Sequence, residues 1–344
     1  MRGGNIIMKL YRLPKAEGID SLTLDEAPTP SPGHGQVLVR MRATSLNFRD
    51  LMVVKGVYAR GGVPPNLIPL SDGAGEVAKI GPGVTRFREG DRVAGIFMQS
   101  WIGGEVTPDD FNTALGGAVD GVLAEYRLFD QSGLVRLPEH LSFEEGATLP
   151  CAAVTAWNAL FAGAPLRPGQ SVLVLGTGGV SIFALQFAHA AGARVIATSA
   201  SNQKLDEAYA LGASDGVNYR ENPEWQDIVV ALTGGRGVDH VVEVGGSGTL
   251  ARSIQAARLG GAVHLIGVLT GKAEIDPSPI LRRNITLRGV YVGSREMFEA
   301  MNRAMTFHDL HPVIHRVFPF AEAPAAFRHL ESQAHVGKVV IRVD

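Results

Sequence analysis

A short apolar run that breaks into a glycine turn and reopens as a helix constrains this chain more than any other stretch. Val172, Leu173, Val174 and Leu175 are apolar without interruption, as a strand buried on both faces of a parallel sheet is. The run leads into Gly176, Thr177, Gly178, Gly179, Val180 and Ser181, and a helical pattern (Ile182, Leu185, Gln186, His189) follows and stops at Gly192. Gly176 permits a tight turn and Gly178 lets a backbone approach a pyrophosphate, while unpaired N–H groups at the helix start face the anion. Ser181 stands at the third position of the glycine pattern and is small enough for close helix–strand packing. The plainer alternative is an ordinary strand-to-helix turn. The strand before the turn and a second strand at 194–198 after it favour a dinucleotide site.

Beyond this turn, strands at 216–218, 238–244, 262–268 and 285–292 alternate with helical segments at 203–211, 225–232 and 249–257. Strands separated by helices of this length need crossover connections, hence a doubly wound parallel sheet of six strands covered on both faces. Residues 8–136 read differently, as short strands (36–43, 73–80, 92–97, 123–129) set off by turns at Pro32-Gly33, Gly81-Pro82-Gly83 and Gly90-Asp91. The glycine-rich piece 101–121 has no period and reads as a loop. Ser142 and Glu145 have capping-box spacing, a helix is expected at 152–161, and a terminal helix at 323–331 and strand at 338–343 return to the first domain. The chain is therefore expected to be α/β, with a mainly β domain of 1–146 plus 295–344 and a dinucleotide-binding domain of 147–294.

Composition narrows the class. At 344 residues with 45% apolar and 19% charged, the chain can build two cores and is not expected to be disordered. A net charge of -2 gives no footing for nucleic acid, and no run approaches a membrane span. The N-terminal residues do not read as a secretion signal, and Met8 is an alternative start. The single Cys151 excludes an intrachain disulfide and fits a reducing, cytoplasmic setting.

Four pieces in order carry a resemblance to a known family: Asn47-Phe48-Arg49-Asp50 with Gly56 and Tyr58, Asp72-Gly73-Ala74-Gly75-Glu76-Val77, Thr155-Ala156-Trp157, and the glycine turn. Together they make the chain similar to the medium-chain dehydrogenase/reductase superfamily, and more narrowly to its zinc-free members related to quinone oxidoreductase. The resemblance implies a GroES-like catalytic domain from both chain ends, a Rossmann domain between, a small-molecule substrate in a cleft where they meet, and a homodimer joined through the last Rossmann strand, 285–292. Zinc-dependent relatives hold catalytic zinc with a Cys, a His and a second Cys or acidic residue. Here Asn47 and Ser71 occupy the first two positions and only Cys151 remains. The four-cysteine structural lobe is missing, and ten histidines show no ligand spacing, so no zinc is expected. One thiol does not make a site, and Cys151 reads as a small buried residue in a helix.

Without a Lewis acid, hydride transfer favours acceptors that bring their own electron sink, such as quinones and α,β-unsaturated carbonyls. Tyr58 is the candidate hydrogen-bond donor to the acceptor oxygen, or else a packing tyrosine. The resemblance makes Asn47 an orienter of substrate or nicotinamide ribose, with helix capping as the rival. Asp50 is expected to hold local backbone or pair with an arginine.

The second strand ends in Thr198-Ser199-Ala200-Ser201-Asn202, with no carboxylate before Asp206, which removes repulsion against a 2′-phosphate and favours NADPH over NADH. Lys204 adds a positive partner, though Ser199 and Lys204 also fit the cap and first turn of the next helix. The resemblance adds Tyr219 to the phosphate pocket and places Thr155, Val244, Gly267, Val268 and Lys338 near the nicotinamide half. Lys338 reads equally as an exposed strand residue. The expected activity is an NADPH-dependent, zinc-independent oxidoreductase. An alcohol dehydrogenase and a non-catalytic, crystallin-like NADPH-binding protein are the alternatives.

Overall fold

A computed structural model describes residues 6–58, 62–267, 269, 271 and 274–343. The chain forms two compact units, one from the residues up to Val154 together with those from Gly293 onward, the other from Thr155–Val292.

In the second unit, six parallel strands (Ser171–Leu175, Arg194–Ser199, Asp215–Asn218, Val238–Glu243, Ala257–Leu265 and Thr286–Gly289) lie in the spatial order third, second, first, fourth, fifth, sixth. The order reverses between the first and fourth strands, the place where open α/β sheets bind ligands. Leu173, Ile196, Val217, Val241 and Val263 are buried in one core with Trp225 and Ile254 from the covering helices. The strands hold together because uninterrupted apolar runs can be shielded on both faces only when helices cover the sheet from each side. The fifth strand starts at Ala257, directly after helix Leu250–Ala256, earlier than its apolar run indicates. The sixth is shorter than the apolar run 285–292 and ends before Val292, which turns the chain with a φ of 53°.

A buried histidine pair bridges the fourth and fifth strands. His240 Nδ1 lies 3.1 Å from His264 Nε2, and His240 Nε2 lies 3.2 Å from Gln170 Oε1. An amide oxygen only accepts, so His240 carries its proton on Nε2 and receives one from His264 Nε2. His264 Nδ1 then points into the core without a partner among the described residues. Burial, aided by His240 and Arg288, holds the His264 pKa down at about 3. The folded value lies below the ordinary one, so the unfolded chain binds more protons at acid pH. The stability this neutral ring supports is present above about pH 6.5 and drains away toward pH 3, at up to about 1.4 kcal/mol per pH unit. The His264→Leu variant is expected to flatten the fall of Tm between pH 7 and pH 5; an unchanged slope would remove His264 as its source.

The first unit is built on strand Gln36–Leu46, in which Val37, Val39 and Met41 are buried and Arg40 is exposed, as expected. Leu38 and the whole end Ala43–Leu46 are buried as well, because the strand is central in its sheet. It pairs antiparallel with Asp72–Ile80, with Tyr126–Asp130 and with the tail strand Lys338–Arg342. Strand Ile314–Pro319 runs parallel to that tail at the sheet's edge, and Arg92–Gly95 and Leu134–Arg136 complete the other side. A hairpin of Ile7–Arg12 and Thr23–Pro28 adds a two-stranded sheet. The capping box at Ser142 forms: its Oγ accepts from Glu145 N, and Glu145 Oε2 accepts from Ser142 N at 2.7 Å. Within 101–121 the structure adds a short helix, Pro108–Phe111, whose N-terminus Asp110 closes onto Thr107. Sequence reading passed over helix Arg295–His308. Its buried apolar stripe is Phe298, Met301 and Met305, at the i, i+3, i+7 spacing of an amphipathic helix. Among the described residues, no helix is long and apolar enough to cross a membrane.

Candidate active site

In the second unit, Gly176 adopts a φ of +71°, a conformation that glycine takes without strain, and its N–H reaches Thr198 Oγ1 at 3.3 Å. Gly178 caps helix Gly179–Ala190, and a Cβ built on Gly178 would meet nothing within 4 Å. Open space therefore lies over the helix start, where N–H groups lack intrahelical partners. Ser181 is buried and donates its hydroxyl to the Leu175 carbonyl at 2.7 Å, so the residue in place of a third glycine ties helix to strand. Thr177 is buried, and Gly179 and Val180 are half-buried in the first turn. This cradle fits a dinucleotide pyrophosphate.

At the end of the second strand, Ser199 is buried, and its Oγ accepts from Ser201 N at 3.3 Å, so it stabilises the entry to helix Asn202–Ala210. Tyr219 is 41% exposed and donates its N–H to the Ser199 carbonyl at 3.0 Å, which brings these two expected site residues together. Lys204 is half-buried, and desolvation lowers its pKa against the opposing pull of Glu207. The strand end carries no acid, but the fold supplies one from elsewhere. Glu221 Oε1 accepts from Asn202 Nδ2 and Asn218 Nδ2, both at 2.9 Å.

Thr155 is buried at the start of this unit, and Val244 is half-buried just after the fourth strand. A Cβ on Gly267 would lie 1.9 Å from the Val244 carbonyl oxygen. The backbone approach that requires glycine there is thus to the chain itself. Val268 lies outside the described residues. Next to Val244, sequence reading missed Glu243, which is completely buried. Its carboxylate accepts from Gly245 N (2.7 Å), Gly246 N (2.9 Å), Thr249 Oγ1 (2.6 Å) and Ser253 Oγ, and so shapes the loop after the fourth strand.

In the first unit, Lys338 is 3% exposed, which corrects its reading as an exposed strand residue. Its ammonium donates to the Leu46 carbonyl at 2.7 Å and to Asn47 Oδ1 at 2.5 Å, and lies 3.8 Å from Asp72 Oδ2. Asp72 also accepts from Ser71 Oγ at 2.6 Å and from Cys151 N at 3.2 Å. Burial raises the Asp72 pKa, while Lys338 and these hydrogen bonds pull it back. Asn47 caps helix Phe48–Val54, and Asp50 Oδ2 accepts from Asn47 N at 2.7 Å while Oδ1 faces Arg49 Nη1 at 3.2 Å. Asp50 thus does both things expected of it, and burial lifts its carboxyl to about 6. The Arg49 guanidinium donates to the Leu115 carbonyl at 2.9 Å and sits over the rings of Tyr58 (4.4 Å) and Phe97 (4.9 Å). This cation–π contact packs Tyr58 and gives its ring a defined orientation. Trp101 is buried, its indole N–H bonded to the Gly104 carbonyl at 3.1 Å, whereas Phe111 is 42% exposed.

A zinc ion at this cluster would have to displace bonds already made. Asn47 and Ser71 are already engaged, and the Cys151 thiol is held well above the ordinary range by burial and by the Asp72 charge beside it. A metal ligand must be the thiolate, and the Lys338 ammonium already supplies the positive charge here. Arg49 and Asp72 were visible only as parts of a motif. Asp72 opens a strand that also carries the exposed Glu76 and Lys79, so charge alone did not mark it as the buried one.

Two family models match, "Alcohol dehydrogenase GroES-like domain" over residues 33–139 and "Zinc-binding dehydrogenase" over 179–306. A zinc-type alcohol dehydrogenase-like protein of Schizosaccharomyces pombe is 45% identical over 95% of this chain and 96% of its own length. A solved structure titled as an alcohol dehydrogenase from Sinorhizobium meliloti 1021 superposes with a TM-score of 0.90 at 40% identity, covering 98% of each chain. A second, the 2-octenoyl-CoA carboxylase reductase CinF in complex with NADP and 2-octenoyl-CoA, has a TM-score of 0.86 at 28% identity and covers 98% of this chain and 87% of that one. A glycine cradle in a doubly wound unit, a GroES-like sheet in the other and this similarity along the whole chain agree: the protein belongs to the medium-chain dehydrogenase/reductase superfamily and is an oxidoreductase that works with a nicotinamide cofactor.

Proposed function

We propose that this chain is an NADPH-dependent, zinc-independent reductase of quinones or α,β-unsaturated carbonyls. The observation that carries the reading is the Lys338 ammonium bonded to Asn47 and facing Asp72, at the residues from which a catalytic zinc site would be drawn. With this cation locked in hydrogen bonds, a simple ketone gains no metal polarisation, and an acceptor whose conjugation spreads the incoming charge is favoured. NADPH, when bound, supplies the hydride. The glycine cradle binds and orients the pyrophosphate, Asn47 positions Lys338, and the Tyr58 hydroxyl donates a hydrogen bond to the acceptor oxygen. The NADP and enoyl thioester bound by CinF support the same class of cofactor and acceptor. The alcohol dehydrogenase titles of the other two relatives favour a second reading, oxidation of alcohols. NADPH consumption measured in parallel with a quinone, an enone and an aldehyde separates them. Turnover with the first two exceeding the aldehyde is expected. Activity confined to an alcohol–aldehyde pair would overturn the proposal, and tight NADPH binding without turnover would favour a non-catalytic role.

The preference for NADPH rests on the acid-free end of the second strand and on Lys204. Glu221 is held by two amide donors, and the half-buried ammonium of Lys204 is the cation we assign to a 2′-phosphate. Lys204→Glu is expected to raise the KM for NADPH about tenfold or more, a loss typical of one charge-assisted hydrogen bond, and to leave that for NADH within about twofold. Equal effects on both cofactors would sink the assignment. The strand Thr286–Gly289 ends the parallel sheet and has one neighbour, Ala257–Leu265. Such an edge readily pairs with its copy across a two-fold axis, and we place the homodimer there. A solution mass of a single chain would exclude it.

A further inference from the structure

Away from the cofactor cradle and the Lys338 cluster, the first unit gathers a second set of donor side chains from two distant parts of the chain. His140 follows strand Leu134–Arg136, while Asp309 and His311 follow helix Arg295–His308. One donor atom from each of these three residues lies within 4.8 Å of the others. The two imidazoles meet edge to face with ring centroids 5.1 Å apart, and His140 Nε2 lies 3.2 Å from the Leu310 carbonyl oxygen. His311 is oriented from behind: its Nδ1 lies 2.7 Å from Glu145 Oε1, and the other oxygen of Glu145 is held by Ser142 N in the capping box. That carboxylate is 18% exposed and fixed at both oxygens.

We propose that His140, Asp309 and His311 form a surface site for a divalent transition-metal ion of the zinc type, with Glu145 as the carboxylate that orients His311. The carboxylate–histidine–metal arrangement is how proteins set the tautomer of a ligating imidazole, because a proton given to the carboxylate leaves the opposite nitrogen as the ligand. Here the opposite nitrogen, Nε2, faces Asp309 Oδ1 at 3.8 Å, longer than a hydrogen bond. A divalent cation held between the imidazole and the carboxylate would bond to both. Two imidazoles and one carboxylate suit Zn²⁺, Co²⁺ or Ni²⁺ over Mg²⁺ or Ca²⁺, and they leave a fourth position for water. A bound ion would clasp the segment after helix Arg295–His308 to the turn at His140, which closes a long chain loop in the folded state.

The test uses untagged, chelator-washed protein and ZnCl₂ alone. One equivalent is expected by calorimetry, with a Tm rise of about 4 °C or more at a hundredfold excess over Kd. Affinity should fall at least tenfold in His140→Ala and in His311→Ala and should be unchanged in Cys151→Ser. MgCl₂ should produce no shift, and a Co²⁺ form should lack thiolate charge-transfer absorption. Glu145→Gln retains the shape of the orienting group and should weaken binding less than loss of either histidine. No stoichiometric binding, or binding that survives both histidine variants, would overturn the proposal. So would a Cys151-dependent signal, because it would place the ion at the Lys338 cluster.

Discussion

Lys338→Met is expected to destabilise the first unit by about 3–5 kcal/mol, the cost typical of stranding one partner of a buried charge pair. Asp72 is fully buried and Lys338 nearly so, and the ammonium is also the donor for the Leu46 carbonyl and the Asn47 side chain. Methionine fills the volume and supplies none of this. Asp72 keeps its bonds from Ser71 and Cys151 but loses the counter-charge, so its carboxyl should hold a proton to higher pH than in the parent. A raised folded value means that stability is greatest at low pH and is lost as pH rises through it. The deficit of the variant should therefore be smaller at pH 5 than at pH 8. Urea unfolding of Lys338→Met, Asp72→Asn and the double variant gives the coupling directly. The double variant should recover more than half of the loss. A single-variant cost under about 1 kcal/mol, or no recovery, would mean that this cluster is not the paired site its geometry indicates.

Gly178→Val is expected to leave the fold intact and to weaken NADPH binding about a hundredfold, near 2.7 kcal/mol. Gly178 has φ −73° and ψ 177°, a conformation open to any L residue, and its Cβ direction is empty to 4 Å. A branched side chain there therefore costs the free protein little, yet it occupies the space in which a pyrophosphate must approach the helix start. Gly176 makes the contrasting control. With φ at +71° it is strained by any side chain, so Gly176→Val should lose Tm as well as affinity. Equilibrium binding of NADPH followed by fluorescence, with Tm measured on the same samples, separates the two effects. A Gly178→Val Kd within threefold of the parent would remove the cradle from the cofactor site.

Much of the architecture could be read in the residues one after another, because local chemistry decided it. The run 172–175 has no polar face, so it had to be a central strand, and Gly176 could only be a turn. Ser142 and Glu145 sit at the spacing their reciprocal hydrogen bonds need, and the structure makes both bonds. Helix Arg295–His308, passed over in the sequence, carried the same kind of local signal: Phe298, Met301 and Met305 recur at i, i+3 and i+7 and form its buried stripe.

Side-chain partners were decided only by the tertiary structure, since they depend on residues brought together across the chain. Lys338 looked as much like a surface residue as a buried one until its strand was inserted beside Leu46 and Asn47. Gly267 looked like a place for a ligand to approach, but the fold brings the Val244 carbonyl there instead. An acid-free strand end acquired Glu221 from the loop beyond the next strand, and ten histidines without ligand spacing contained a pair, His140 and His311, that meets only in space. Spacing along the backbone governs turns, caps and strand faces because those interactions close within a few residues. A buried charge or a ligand set closes over a hundred residues or more, and its partners exist only once the sheet has formed.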